Sequence, residues 1–246
     1  MTATPRRPRT PDPGVRTATL DLAALPMPYG ASVVSIEPDD DGVAVTSRGP
    51  VDRPGRRYRG VAILRQRFDA ELVPGPTQVE VLDSAPGPEC RPPLPAVWCG
   101  PDAVVRMASE MTMECTDLDG TPRWRLRLFQ WLHTPVEFRG DRIWFGTAGR
   151  GGRFYGVDLG TGAVVVDVDT GGTVDYRWWG PDHVVLPDPD ILILDVRSGD
   201  RRRLRLGPLE IRDAHTMLLD GDVLYASAFR RRGDRLAPWI VRAALS

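Results

Sequence analysis

Short runs of β-branched and aromatic residues alternate with polar positions along most of this chain, and clusters of Gly, Asp and Pro separate the runs. This alternation predicts short β-strands joined by turns. The clearest segment predicts four consecutive strands, over residues 134–138, 142–146, 154–159 and 163–168. Because the intervening turns are short, we expect these strands to form an antiparallel meander.

A turn within this segment recurs every forty residues. The four copies, each between two apolar runs, are Gly100-Pro101-Asp102, Gly140-Asp141-Arg142, Gly180-Pro181-Asp182 and Asp220-Gly221-Asp222. A repeat of about 40 residues with four strands per unit is typical of a propeller blade. We therefore predict an all-β fold, a five-bladed β-propeller built from four-stranded antiparallel blades.

The two ends of the chain bear on how such a ring closes. Residues 1–16 are rich in Pro and Arg without periodicity, which predicts a disordered tail. Residues 17–246 predict one propeller domain, with blades over about 31–83, 93–131, 132–172, 173–210 and 211–246. The last blade has only three predicted strands, whereas residues 17–22 form an isolated one. We expect the N-terminal strand to complete the last blade and close the ring.

Three hairpins share a further pattern, a hydrophobic residue followed by Asp, two variable residues, Thr and Gly. Residues 155–163 carry it in full, and residues 194–199 and 116–120 are weaker copies. On these residues the chain, from about 31 to 243, resembles bacterial β-propellers of the WD40-like and quinoprotein-like repeat group. It lacks the Gly-His and Trp-Asp pairs of a standard WD40 blade, and it is shorter than the quinone-dependent dehydrogenases. The resemblance therefore implies the fold and no cofactor, and it does not specify a function.

Composition narrows the class of protein. The net charge is −1, so no overall field attracts nucleic acid or membrane, and we expect neither as a partner. All 32 basic residues are Arg, which with 24 Pro and 25 Gly indicates a GC-rich bacterial genome. Cys90, Cys99 and Cys115 are too widely spaced for a disulfide framework or a zinc site, so we expect no metal. Without a signal peptide or a long apolar run, the sequence predicts a cytoplasmic protein, and we expect a monomer.

Superposing the blades on the repeated turn places polar residues near the starts of the innermost strands, which line the channel of a propeller. The residues seven and five positions before each turn are Pro93, His133, Thr173 and Asp213, and Pro95, Pro135, Asp175 and His215. A histidine beside a carboxylate has its charged form favoured and its tautomer fixed, as a general base requires. The candidate catalytic residues are therefore His215, Asp175, His133 and Asp213. Alternatively, these polar side chains merely fill a solvated channel.

Loops between second and third strands lie on the same face as the starts of the inner strands. Three of these loops are rich in arginine, namely Arg48, Arg53, Arg56, Arg57 and Arg59, then Arg150 and Arg153, then Arg230, Arg231, Arg232 and Arg235. Arginine binds carboxylates and phosphates bidentately. The candidate ligand-binding residues are Arg57, Arg150, Arg153 and Arg231, together with Trp131 and Tyr176. Alternatively, the arginines only keep long loops soluble.

Two functions fit these observations. The favoured one is a binding module that presents the Arg-rich loops around the channel to an anionic small molecule or an acidic partner protein. The alternative is a non-redox enzyme, a lyase, isomerase or hydrolase, with His215 and Asp175 as base and orienting residue and His133 and Asp213 as a second pair. No nucleophile motif is present in the sequence.

Overall fold

The structure, a computed structural model, describes residues 10–22, 32–51, 60–82, 97–149, 151–172, 175–211, 217–230 and 238–246. All regular secondary structure in these ranges consists of β-strands, apart from single-residue assignments. The same ranges contain no helix with the length and apolarity needed to cross a bilayer.

The strands form five antiparallel sheets, which follow one another along the chain. The first strand, β1 (Val15–Thr19), belongs to the last sheet. Sheet one contains β2 (Ser32–Asp39), β3 (Gly42–Val51), β4 (Gly60–Asp69) and β5 (Pro74–Leu82). Sheet two contains β6 (Val97–Cys99), β7 (Ala103–Ser109), β8 (Thr112–Asp117) and β9 (Pro122–Arg127). Sheet three contains β10 (Glu137–Arg139), β11 (Arg142–Gly146), β12 (Arg153–Asp158) and β13 (Val164–Asp169).

Sheet four contains β14 (Arg177–Trp179), β15 (His183–Asp188), β16 (Asp190–Asp195) and β17 (Arg201–Leu204). Sheet five contains β18 (Leu209–Glu210), β19 (Met217–Asp220), β20 (Val223–Arg230) and β21 (Trp239–Ala244), together with β1. Four-stranded antiparallel sheets in series are the architecture of a β-propeller, as the repeat predicted. The number of blades and the closure of the ring stay predictions.

The repeated turns lie where the sequence places them, and they join β6 to β7, β10 to β11, β14 to β15 and β19 to β20. Gly140, Gly180 and Gly221 have positive φ angles of 60°, 68° and 53°, a region that favours glycine. The inner strand of sheet three starts later than predicted, since β10 begins at Glu137 and the predicted strand began at residue 134. There the Thr134 hydroxyl accepts a hydrogen bond from the Gly146 amide at 2.7 Å, so a side chain replaces a backbone partner.

Apolar residues on the sheet faces hold neighbouring sheets together. Burial of each such side chain contributes about 1.5–3 kcal/mol to the free energy of folding. The clusters join sheets five and one around Leu64 and Ile240, two and three around Met113 and Phe145, three and four around Phe154 and Leu186, and four and five around Ile193 and Leu224.

No apolar cluster joins sheets one and two among the described residues. The face of sheet two that points away from sheet three carries Arg106, Glu114 and Arg125. The Nε atoms of Arg106 and Arg125 donate to the Glu114 carboxylate at 3.1 and 2.6 Å, and the hydrogen bonds from Arg125 and Arg106 lower the pKa of Glu114. Val34 and Val97 are 43% and 50% exposed. This face of sheet two is therefore charged, unlike the faces that pack in the four clusters.

The N-terminal strand pairs with the last strand of the chain, as predicted. β1 runs antiparallel to β21, from Val15 opposite Ala243 to Thr19 opposite Trp239. The predicted bounds, 17–22, are too late because Leu20 and Leu22 leave the strand and pack between sheets five and one.

The predicted tail over 1–16 is too long. Pro11 forms an isolated bridge with Leu206, and the Arg205 amide donates to the Asp12 carboxylate at 2.9 Å. From Pro11 onward, therefore, the N-terminal chain is attached to the segment that follows β17. Residues 1–9 lie outside the described ranges.

Replacing both Leu20 and Leu22 with alanine should lower the melting temperature by about 10 °C or more. Each leucine is 3% exposed, and loss of a buried leucine costs about 2–5 kcal/mol. A thermal melt followed by circular dichroism measures the change. The control, Thr17→Ala with Thr19→Ala, alters exposed positions of the same segment and should stay within about 2 °C of wild type. If the leucine variant melts as close to wild type as the control does, this N-terminal segment does not support the fold.

Candidate functional site

The two ends of the sheets carry different residues. We define the loop face as the end at which the inner strands β10, β14 and β19 begin, and the turn face as the end at which they stop. Arg177 Nε donates to the Met217 carbonyl at 3.0 Å, and Trp178 Nε1 donates to Glu137 Oε2 at 2.8 Å. Both bonds join residues at or near the starts of neighbouring inner strands, so these strands begin at the same end.

Asp175, a predicted catalytic residue, lies two residues before β14 on the loop face and is 5% exposed. Its Oδ1 accepts hydrogen bonds from Arg177 Nη1 and from the Tyr176 amide, both at 3.0 Å. Arg177 in turn reaches Met217 in sheet five. Asp175 therefore anchors a link between sheets four and five.

His133 and Trp131 lie on the segment that leads into β10. The His133 amide donates to the Gly146 carbonyl at 2.8 Å, and the Trp131 carbonyl accepts from the Ala148 amide at 2.8 Å. Trp131 is 57% exposed, so its indole stands on an open surface beside the β11–β12 loop. His133 is half-buried. The structure thus places both residues on the loop face, as the alignment of the blades predicted.

Two of the predicted ligand-binding residues have structural partners. Tyr176 is 4% exposed, its hydroxyl donates to the Trp144 carbonyl at 3.3 Å, and burial raises its pKa. It belongs to the core between sheets three and four, so its assignment to a ligand surface is wrong. Arg153 Nε lies 2.5 Å from Asp167 and its Nη1 lies 3.5 Å from Asp169. The hydrogen bond to Asp167 raises the Arg153 pKa, and the guanidinium is committed to β13.

Other predicted site residues lie outside the described residues. They are His215, Asp213, Arg57, Arg150 and Arg231. The predicted pairing of His215 with Asp175 therefore stays a prediction.

One connection on the loop face is acidic. β15 and β16 meet at Pro189, so this connection is a tight hairpin turn. Asp188 and Asp190 are 8% and 5% exposed. Burial raises the Asp188 pKa, Arg203 donates to its carboxylate, and the Leu206 amide donates to Asp190 at 3.1 Å. Protein groups therefore hold both carboxylates in place.

A cleft of about 460 Å³ opens on the turn face between sheets four and five. His183 lies here, with its ring centroid 5.2 Å from that of Trp179 and its Nε2 4.0 Å from Asp195 Oδ2. Hydrogen bonds from the Ser198 and Arg197 amides lower the Asp195 pKa, so this carboxylate stays ionised. Sequence reasoning considered the other two histidines and missed this one, although its place directly after the 180–182 turn was a signal.

A second cleft, of about 310 Å³, lies on the same face between sheets three and four. Three arginines line it, namely Arg139, Arg142 and Arg197. The sequence analysis did not single out these arginines. Two of them flank the Gly140-Asp141 turn directly, which was the available signal.

The chain is similar to several solved structures. Over 61% of this chain and 89% of the other, it matches a computationally designed protein, Ika4, at 15% identity and a TM-score of 0.44. It matches BamB from Moraxella catarrhalis at 18% identity and a TM-score of 0.39, over 89% of this chain and 61% of that one. A structure of HIRA matches at 12% identity and a TM-score of 0.34, over 80% and 56%.

This chain therefore spans less than two thirds of the BamB and HIRA chains. No protein-family model and no curated protein matches it. At these TM-scores the similarities say nothing about a site, and we base the propeller architecture on the order and pairing of the strands.

A double-mutant cycle on Asp175→Asn and Arg177→Gln should give a coupling free energy of about 1–3 kcal/mol in urea unfolding. The reason is that a buried carboxylate loses its charged partner while Asn keeps an acceptor for the Tyr176 amide. The exposed pair Asp182 and Arg197, 3.3 Å apart, serves as the control and should couple by less than about 1 kcal/mol. A coupling near zero for Asp175 and Arg177 would contradict the anchoring role.

Proposed function

We propose that the protein is a cytoplasmic, non-catalytic β-propeller that binds an anionic small molecule or an acidic partner protein on its loop face. The positions of the strand ends are the observation that carries this proposal. The β3–β4, β11–β12 and β20–β21 connections each start from the strand that follows β2, β10 or β19, so in a propeller they leave the sheets at the loop face. The segments between these strand ends, residues 52–59, 147–152 and 231–237, hold eight arginines and two aspartates.

Arginine suits this role for two physical reasons. Its guanidinium stays protonated in any setting, and its five N–H donors match the two oxygens of a carboxylate or phosphate. Loops that bring arginines to one face of a nearly neutral protein create a local positive potential, which raises the rate of encounter with an anion. The exposed indole of Trp131, beside the β11–β12 loop, adds a surface on which a planar group can stack.

The enzyme alternative has less support. Asp175, the residue assigned to orient the base, accepts hydrogen bonds on its Oδ1 from Arg177 and from the Tyr176 amide. These contacts connect Asp175 to the packing of sheets four and five. We therefore favour binding over catalysis.

Native mass spectrometry of protein purified at low salt from the organism that makes it tests the proposal. We expect a bound anion or acidic polypeptide, which the triple variant Arg57→Gln, Arg150→Gln, Arg231→Gln loses. Each lost charge-assisted contact should weaken binding by about tenfold. The matched control, Arg67→Gln, Arg125→Gln, Arg201→Gln, removes the same charge at exposed strand positions outside these loops and should keep the ligand.

Two results would overturn the proposal. One is a wild-type protein that carries neither kind of ligand. The other is a ligand that the loop-face triple variant retains at full occupancy, since the binding site would then lie elsewhere on the molecule.

A further inference from the structure

We propose a second binding site on the opposite face, where the cleft between sheets three and four binds a small oxyanion with at least two negative charges, such as a phosphate ester or a dicarboxylate. This inference goes beyond the loop-face function and does not depend on it. It rests on three arginines that the turns of two sheets bring into one concave site.

The cleft lies between three turns. Arg139 and Arg142 flank the β10–β11 turn, Asp182 belongs to the β14–β15 turn, and Arg197 belongs to the β16–β17 turn. Its volume of about 310 Å³ falls at the lower end of the range for small-molecule sites. All three arginines are therefore within reach of one small ligand.

Arg139 is held over an indole. Its Cζ lies 3.8 Å from the centroid of the Trp178 ring, a cation–π distance. Trp178 is itself fixed, because its Nε1 donates to Glu137 Oε2 at 2.8 Å. Glu137 Oε2 is 3.6 Å from Arg139 Nε, longer than a hydrogen bond. This cation–π contact restricts the position of the guanidinium, so Arg139 is placed before a ligand arrives.

Arg142 is positioned by the neighbouring sheet. Its Nη1 donates to the Val196 carbonyl in sheet four at 3.2 Å, which uses one of its five N–H donors. Its side chain is 33% exposed, so the charge lies in a partly desolvated wall where electrostatic attraction is stronger than in open water. Arg142 thus combines a fixed position with an accessible charge.

Arg197 supplies a mobile third charge. Its side chain is 76% exposed, and its Nη1 lies 3.3 Å from Asp182 Oδ2. An exposed pair of this kind contributes little to stability, so exchange of Asp182 for a ligand oxyanion costs little. Ordering this side chain over a bound anion costs about 1 kcal/mol of side-chain entropy, less than a charge-assisted hydrogen bond supplies.

The acidic residues of the cleft do not fill it. Asp141 is at the tip of its turn with 83% of its side chain exposed, and its Oδ1 lies 3.7 Å from Arg142 Nε. At that exposure water screens its charge, and the side chain can turn outward. Two well-placed guanidinium groups and a third nearby therefore favour an oxyanion with more than one charge over chloride or a single carboxylate.

Titration of the full chain with inorganic pyrophosphate and, separately, with citrate tests the site by calorimetry and by NMR of the indole N–H groups. We expect saturable binding of at least one anion, with shifts of the Trp178 and Trp144 indole resonances, assigned through Trp178→Phe and Trp144→Phe. Preference for pyrophosphate or for citrate then tells a phosphate ligand from a carboxylate. Arg142→Gln should weaken binding about tenfold, and Arg139→Gln with Arg142→Gln about a hundredfold.

Controls separate this site from the loop face. The Arg57, Arg150, Arg231 triple variant should bind pyrophosphate or citrate as wild type does. Arg139→Lys keeps the positive charge but cannot form bidentate hydrogen bonds, so it should bind with intermediate affinity. The melting temperature of each variant shows that it is folded. Absence of saturable binding of either anion below about 5 mM overturns the proposal. So does binding that survives in the folded Arg139, Arg142 double variant and is lost in the loop-face triple variant.

Discussion

Each sheet in this protein has two faces, and a neighbouring sheet must cover a face that is apolar. Phe145 and Phe154, both fully buried, are in adjacent strands of sheet three, yet one packs against sheet two and the other against sheet four. A single sheet of this kind cannot bury both faces alone, so the units are stable only as a series. The positions of the candidate sites follow from this constraint, because the clefts open where two packed sheets diverge at the turn face.

The order of strands could be predicted from the sequence because it depends on local signals. Turn glycines such as Gly140 and Gly180 need positive φ, and the apolar runs between the turns have the length of strands. The partner of the N-terminal strand could also be predicted, because only the last predicted blade was one strand short. The start of β10 could not, since it depends on the side chain of Thr134 replacing a backbone acceptor for Gly146, a contact between residues twelve positions apart.

Roles of individual side chains were harder to predict for the same reason. Tyr176 and Asp175 are both buried beside the start of β14, and the sequence analysis assigned the first to ligand binding and the second to catalysis. Their partners, Trp144 and Arg177, commit them to packing between sheets. Likewise, a pattern of alternation cannot show that Trp178 will lie under Arg139, because the two residues are on different sheets. Contacts across a sheet junction depend on the relative orientation of whole sheets, which no local pattern records.

Pairing of β1 with β21 has a consequence for how the protein is made. On the ribosome, the strand at Val15–Thr19 emerges first, and the strand that pairs with it, Trp239–Ala244, emerges more than two hundred residues later. Until then the N-terminal strand must wait without its partner, while sheets one to four can already collapse in order of synthesis. Completion of the last sheet therefore comes late in synthesis and requires a long loop to close, and it is the stage at which exchange of the β1 strands between two nascent chains competes with correct folding.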